Sequence, residues 1–391
     1  MILHLNNEDQ DKKDLPENKI TSMKKKSSVT FIDKLVRLVA LAFAIALVLG
    51  AMAGHIDPRD NKYIPFFGLA YPYILVINLF ILGWWVLRKR WILFLLTLIV
   101  IGSGWQAFRA TIRFSGDAGE GPKKSIDLVR MMTYNVHGFK PFDTGAVEPV
   151  KQQILSIVRK ENPDIIAFQE YFTRKKGSFD MTDSLKAILK TPYYYFVADT
   201  DNGYEANGLA IFSKYPIESK GSIAFADSGN SSIYIDVLIN KKMMRIYSVH
   251  LQSIAFDKQD YEYLDKVTSK MDPDLKPSKR ILSMLKTAFL KRSAQVDVMK
   301  AEMKKCTTPF LIAGDFNDTP PSYAVTQLTK GMNKSFDKKG TGLGRTYNGK
   351  FPNFQIDYIA TTKDIGIINH RVITAKLSDH FPVRSDLKLT P

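Results

Sequence analysis

Hydrophobic and polar positions divide the chain into two regimes. Residues 1–30 show no apolar periodicity, and so polar a stretch is expected to stay a disordered tail. Three apolar runs follow in quick succession, at about 35–56, 64–87 and 91–108. Each approaches the roughly 20 residues that cross a bilayer as a helix. Trp84, Trp85, Trp91 and Trp105 lie near the ends of these runs, where an aromatic belt sits. After a Gly- and Lys-rich stretch at 115–125, short apolar runs alternate with amphipathic ones.

That second regime predicts an α/β pattern. A strand at 126–134 leads to an amphipathic helix at 149–161, with Val150, Ile154, Ile157 and Val158 at helical spacing. Pro149 suits its first turn, and Asn162-Pro163 ends it before a buried strand at 164–168. A helix at 181–189, strands at 193–197 and 208–212, and a hairpin of 231–239 with 243–249 follow. The polar stretch 253–277 reads as an irregular surface insertion or lid. A helix at 278–305 turns Ile281, Leu285, Phe289, Val296, Met299 and Met303 inward and feeds a short buried strand before Gly314. Its Lys291-Arg292 pair reads as solvated surface. A helix at 320–330, a Gly-rich loop at 340–349 and strands at 354–360, 372–374 and 384–389 complete the chain. The expected domains are a tail (1–30), a three-helix membrane anchor (31–110), a linker (111–125) and a globular domain (126–391).

Charge adds an orientation. The chain carries 55 Lys and Arg against 39 Asp and Glu, a formal net charge of +16 that favours anionic partners without choosing among them. Lys24, Lys25, Lys26, Lys34 and Arg37 flank the first run, and Arg88, Lys89 and Arg90 separate the second from the third. The positive-inside rule puts both groups in the cytoplasm and everything after the third run outside. This predicts an integral inner-membrane protein with an extracytoplasmic domain. A cleaved signal peptide ending near Ala51-Met52-Ala53 is the alternative for the first run, and it leaves that side unchanged. One cysteine, Cys306, excludes an intrachain disulfide and a zinc–thiolate centre.

The candidate chemistry sits at strand ends. Gly314-Asp315-Phe316-Asn317 places a carboxylate and a carboxamide two residues apart, on one face if the strand persists, although the same run before Pro320-Pro321 is also good turn chemistry. Asn135, Glu170, His250 and Asp379-His380 likewise fall at or after apolar strands, and Asp357 falls within one. Oxygen donors plus imidazole, without thiolate, suit Mg²⁺ or Mn²⁺.

Met132-Thr133-Tyr134-Asn135, Gln169-Glu170, Val249-His250-Leu251, Gly314-Asp315-Phe316-Asn317, Ile356-Asp357-Tyr358-Ile359 and Ser378-Asp379-His380-Phe381-Pro382-Val383 occur in that order. Over about 128–389 the series resembles the endonuclease/exonuclease/phosphatase superfamily of deoxyribonuclease-like phosphoesterases. The resemblance implies a four-layered α/β sandwich, two packed β-sheets flanked by helices, here preceded by three transmembrane helices. It implies Mg²⁺-dependent (or Mn²⁺-dependent) hydrolysis of phosphate esters. Glu170 then matches the principal metal carboxylate, with Asn135 beside it and Asp379 as an additional one. Asp315 and Asn317 match the pair that positions water and phosphate, His380 the catalytic histidine, and Asp357 the carboxylate that holds its ring. His250 matches a phosphate contact or acid, and Asn207 a substrate-binding position. His137 is placed outside this set, as a supporting or solvent-exposed residue, and Arg345-Thr346-Tyr347 reads as plain loop, with a phosphate contact as the alternative. Asp315 is favoured as the water-positioning base. Nucleic acid and phospholipid both remain open as substrates, and a catalytically inactive scaffold of the same fold is the alternative function.

Overall fold

The computed structural model describes residues 30–141, 147–254, 256–270, 275–349 and 354–389; the tail before Thr30 lies outside them. The N-terminal part comprises α1 (Phe31–Met52), α2 (Ile64–Leu87), α3 (Trp91–Ser103) and α4 (Trp105–Thr111). Helices α1 and α2 are long and apolar enough to cross a membrane. The third run is not one helix, because α3 and α4 meet at a 75° bend. Gly102-Ser103-Gly104 lies at the break, where glycine weakens helix continuity. Their large apolar side chains, such as Leu38, Leu41, Phe80 and Ile92, point outward, as an apolar solvent requires.

The rest runs β1 (Val129–Asn135), α5 (Val147–Glu161), β2 (Ile165–Arg174), α6 (Met181–Leu189), β3 (Tyr194–Asp201), β4 (Glu205–Ser213), β5 (Ile217–Ala224), β6 (Ser231–Ile239), β7 (Lys242–His250), α7 (Lys258–Lys270), α8 (Leu275–Lys305), β8 (Phe310–Asp315), α9 (Tyr323–Leu328), β9 (Asn333–Lys334), α10 (Ser335–Lys339), β10 (Asp357–Thr361), β11 (Ile365–Ile367), β12 (Arg371–Val372) and β13 (Val383–Leu389). One sheet has the order β11-β13-β1-β2-β4-β3, with β12 on β13; the other has the order β5-β6-β7-β8-β10-β9. Strands β1 and β2 are parallel, as are β7 and β8. Their crossovers are α5 and the α7–α8 segment.

Strand alternation builds the layers. Val129, Met131, Ile165, Ala167, Leu209 and Ile211 of the first sheet meet Ile233, Ile235, Met244, Ile246, Leu311, Ala313 and Ile359 of the second. The opposite face of the first sheet packs Met132, Tyr134, Ile166 and Phe168 on α5 and α6. That of the second packs Tyr247, Val249, Ile312 and Tyr358 on α8 and α9. The result is helix, sheet, sheet, helix, the expected four-layered sandwich.

Some local readings change. The stretch read as an irregular insertion contains α7, whose Tyr263 and Leu264 pack on Ile281, Leu285 and Phe289 of α8. Arg292 is buried rather than solvated, bonding the Asp318 carboxylate at 3.1 Å and the Gln252 carbonyl at 2.9 Å. The 111–125 stretch is pinned to the sandwich: Arg113 pairs with Gly342, the Asp117 N–H donates to the Lys339 carbonyl, and Arg384 donates to the Ala118 and Gly119 carbonyls.

Candidate active site

The inner faces of the strands turn polar at one end of the sandwich. Along β1 the inward positions read Val129, Met131, Thr133, Asn135; along β2, Ile165, Ala167, Gln169; along β7, Met244, Ile246, Ser248, His250; along β8, Leu311, Ala313, Asp315. In β10, Asp357 stands opposite Asp315 in register. Buried polar groups need partners, and these find them across the two sheets. Thr133 Oγ1 donates to Gln169 Oε1 at 3.2 Å, and Gln169 Nε2 donates to Ser248 Oγ at 3.0 Å. Asn135 Nδ2 donates to Asp315 Oδ2 at 3.2 Å and to Glu170 Oε1 at 3.1 Å.

Asp315 ends β8 at full burial. Its Oδ1 accepts the Asn317 backbone N–H at 2.8 Å, and its Oδ2 accepts Asn317 Nδ2 at 3.1 Å. Gly314 before it has φ 144, and a Cβ there would collide with the Val249 carbonyl of β7, so the close β7–β8 approach requires glycine. His380 Nδ1 lies 3.0 Å from Asp357 Oδ2, and its Nε2 lies 3.7 Å from Asp315 Oδ2. The imidazole is therefore flanked by a carboxylate on each nitrogen. Ser378 fixes the approach: its Oγ accepts the His380 N–H at 3.2 Å and donates to the Asn135 carbonyl at 2.9 Å. Burial pushes the Asp315 carboxyl up to about 6, against the pull of His380. Burial alone would depress the His380 imidazole, but Asp357, Asp315 and Asp379 outweigh it and hold its pKa well above the usual value.

A second group opens toward solvent. Glu170 sits where the β2–β4 register shifts, between Phe168 and Tyr171, with φ 50. A bulge of this kind re-aims a side chain, and a positive φ at a non-glycine residue costs energy that the surrounding fold must sustain. Glu170 Oε2 lies 3.3 Å from His137 Nδ1, and Asp379 Oδ1 lies 3.8 Å from the same nitrogen. Burial would raise the Glu170 pKa, yet the His137 hydrogen bond and the His250 and His137 charges bring it down to about 2.

Most of the expected residues therefore converge. His250 Nε2 is 3.8 Å from Asp315 Oδ2, beyond hydrogen-bond distance, and is buried with no hydrogen-bond partner among the described residues. Asn207 shares the inner face of β4 with Leu209 and Ile211 but is exposed at the rim, off the pocket wall. Two residues left outside the expected set also lie here: His137, between two carboxylates, and Tyr347, whose ring meets that of His380 edge-on at 5.4 Å. The signal for His137 is its place two residues beyond Asn135, and for Tyr347 its place in the Gly-rich loop beside Arg345. Both line a cavity of about 200 Å³ with Glu170, Asp315, Asn317, Asp379 and His380.

A model of the endonuclease/exonuclease/phosphatase family matches residues 132–380. The chain belongs to this family. It thus has the fold of a metal-dependent phosphoesterase. A model described as a domain of unknown function matches residues 33–111. Solved structures with a similar fold include an endonuclease/exonuclease/phosphatase from Beutenbergia cavernae, with 18% identity and TM-score 0.46, covering 68% of this chain and 72% of that one. The human Nocturnin catalytic domain with bound sulfate gives 13%, 0.47, 68% and 95% in the same order. A mannosyl-6-phosphatase from Bacteroides thetaiotaomicron gives 15%, 0.45, 66% and 99%. Among curated proteins, none matches.

The donors fit the divalent cation typical of the family. Two carboxylates, of Glu170 and Asp379, converge on one imidazole beside the Asn135 amide, a hard, thiolate-free set. Donor atoms of Asp315, Asp357 and His380 also lie within 4.8 Å of one another and could hold a metal.

Proposed function

We propose that the protein hydrolyses phosphate esters, phosphodiesters foremost, by attack of a water held between Asp315 and the pocket. The observation that carries this reading is the buried Asp357–His380–Asp315 chain, which opens into the cavity shared with Glu170 and Asp379. Glu170, Asp379 and Asn135 are the residues assigned to Mg²⁺ (or Mn²⁺), since Asp357 Oδ2 is already paired with His380 Nδ1. When bound, such an ion neutralises phosphate charge. Asp315, as carboxylate, orients the water and takes its proton; Asn317 holds it in place through two hydrogen bonds. His380, kept protonated by Asp357, donates from Nε2 to the phosphate and stabilises the charge that develops there. His250, buried behind Asp315, and Asn207, at the rim off the pocket wall, keep their proposed assignments as a phosphate contact or acid and a substrate contact.

We also infer that the domain lies outside the cytoplasmic membrane, because it docks on the end of the α1–α2 hairpin opposite Arg88, Lys89 and Arg90. The test is hydrolysis of bis(p-nitrophenyl) phosphate by the full chain in detergent. Activity should require Mg²⁺, vanish in EDTA and return when Mg²⁺ is restored. Equal rates with and without chelator would refute the reading.

A further inference from the structure

The pocket has a wall that the globular domain does not supply. Leu69 of α2 lines it, together with Ile254, Phe256 and Phe354, in the same cavity as the polar Asp315 and His380. The contact belongs to a docked interface. Thr319 Oγ1 donates to the Gly68 carbonyl at 3.2 Å, Gln327 Nε2 donates to the Gly54 carbonyl at 2.8 Å, and Ser293 Oγ donates to Asp57 at 2.6 Å. The Phe66 and Phe289 rings meet edge-on at 5.2 Å, and Tyr73 and Phe354 at 6.0 Å.

Depth follows from helix geometry. The 24 residues of α2 span about 36 Å, against a hydrocarbon core of about 30 Å. Centred in that core, the helix extends about 3 Å beyond it at each end, so Leu69, about 8 Å from the start of the helix, lies about 5 Å inside the hydrocarbon edge. From Leu69 an apolar stripe continues down the same helix face through Tyr73, Val76 and Phe80, at i, i+4, i+7 and i+11. These three are 50%, 42% and 76% exposed, so the pocket wall runs directly into a surface that faces lipid. A nucleic-acid strand needs a basic track with stacking aromatics. Here the pocket that holds Asp315 and His380 has an apolar wall continuous with the outward-facing stripe of α2.

On the phosphoesterase reading above, we propose that the substrate is a membrane phospholipid, admitted from the leaflet along the Leu69–Tyr73–Val76–Phe80 face of α2. The phosphate rises to Asp315 and His380 while the acyl part stays against α2. Water forms a new P–O bond, one ester P–O bond breaks, one water proton goes to the departing alkoxide and the other to solvent.

The experiment places the full chain in vesicles containing phosphatidylethanolamine, phosphatidylglycerol, phosphatidylinositol and sphingomyelin, with Mg²⁺. Water-soluble phosphate products are measured, and bis(p-nitrophenyl) phosphate and single-stranded DNA are assayed in parallel. At least one lipid should be cleaved with a higher kcat/KM than DNA. Leu69→Asp and Phe80→Asp should each lower the lipid to bis(p-nitrophenyl) phosphate ratio of kcat/KM by about tenfold or more. Cleavage of bis(p-nitrophenyl) phosphate without cleavage of any lipid overturns the proposal and leaves the phosphoesterase reading standing, as does preferred cleavage of DNA. Unchanged ratios in both variants overturn the entry path. Failure to cleave any phosphate ester refutes the phosphoesterase reading itself.

Discussion

Replacing Asp357 by asparagine removes one negative charge from a buried pair and little else. Asp357 and the His380 ring are 1% and 5% exposed, with 3.0 Å between Oδ2 and Nδ1. At that distance an effective dielectric of about 20 gives an attraction of about 5 to 6 kcal/mol. Desolvation offsets part of it, and breaking a buried pair by removing one partner costs about 3 to 5 kcal/mol. If His380 must be cationic as the phosphate is attacked, that loss appears in the barrier as a fall of ~10²–10⁴-fold in kcat. The direction of the titration also follows. Burial draws the His380 pKa down and Asp357 is the strongest opposing influence, so D357N lets burial gain and the imidazole loses its proton at lower pH. The assay is kcat against pH with bis(p-nitrophenyl) phosphate, with the melting temperature of the full chain as a control for folding. The alkaline limb of the profile should move to lower pH in D357N. Wild-type kcat with an unshifted alkaline limb would refute the role given to this pair.

Two further outcomes are expected. Because burial holds the Asp315 carboxyl up near 6, the carboxylate proposed as the base is lost as pH falls through that value, and wild-type activity should decline there; a bound cation moves the limb lower. D315N should lower kcat by ~10²–10⁴-fold and abolish that limb, and an acid limb that survives in D315N assigns it to another group. Arg130, 3% exposed, bonds Asp386 at 2.7 and 2.9 Å and the Glu161 carbonyl at 3.0 Å, joining β1 to β13 and the end of α5. R130A should destabilise the fold by about 3 to 5 kcal/mol, and an unchanged denaturation midpoint would contradict that.

What the sequence disclosed and what it concealed have separate physical causes. Site residues such as Asp315 and Asn135 were visible because they end apolar strands, and strand alternation places them on the same face as Ala313 and Thr133. The strands β5, β9 and β11 were not read, since they are short or carry polar residues such as Glu218 and Lys220 on exposed positions. The break at Gly104 was missed because summed hydropathy over 91–108 does not register a bend. Arg292 looked like helix surface because its partner, Asp318, is 26 residues away and meets it only through tertiary packing. Glu170 shows the limit most clearly. Its position after an apolar run was legible, but the bulge and positive φ that aim it at His137 arise from pairing with β4 and have no local signature.

The anchor is a part of the site because of where its charges lie. Asp33 near the start of α1 is fully buried and is held by Arg88 at 2.9 Å, with Arg90 at 3.7 Å. A carboxylate in a membrane helix needs such partners, so this cluster fixes the register of α1 against the far end of α2. At the opposite end, Asp57 binds Arg59 at 2.6 Å and Ser293, while Arg59 also reaches Asp297 of α8 at 2.8 Å. One end of the hairpin is thus locked to itself and the other to the globular domain. Two locks at opposite ends of α2 leave little freedom for Leu69 to leave the pocket wall, and on the membrane reading proposed above they would present the domain to the leaflet in one orientation. Tethering alone would only raise the local concentration of substrate; on the lipid reading proposed above, a fixed orientation would also select which phosphate reaches Asp315.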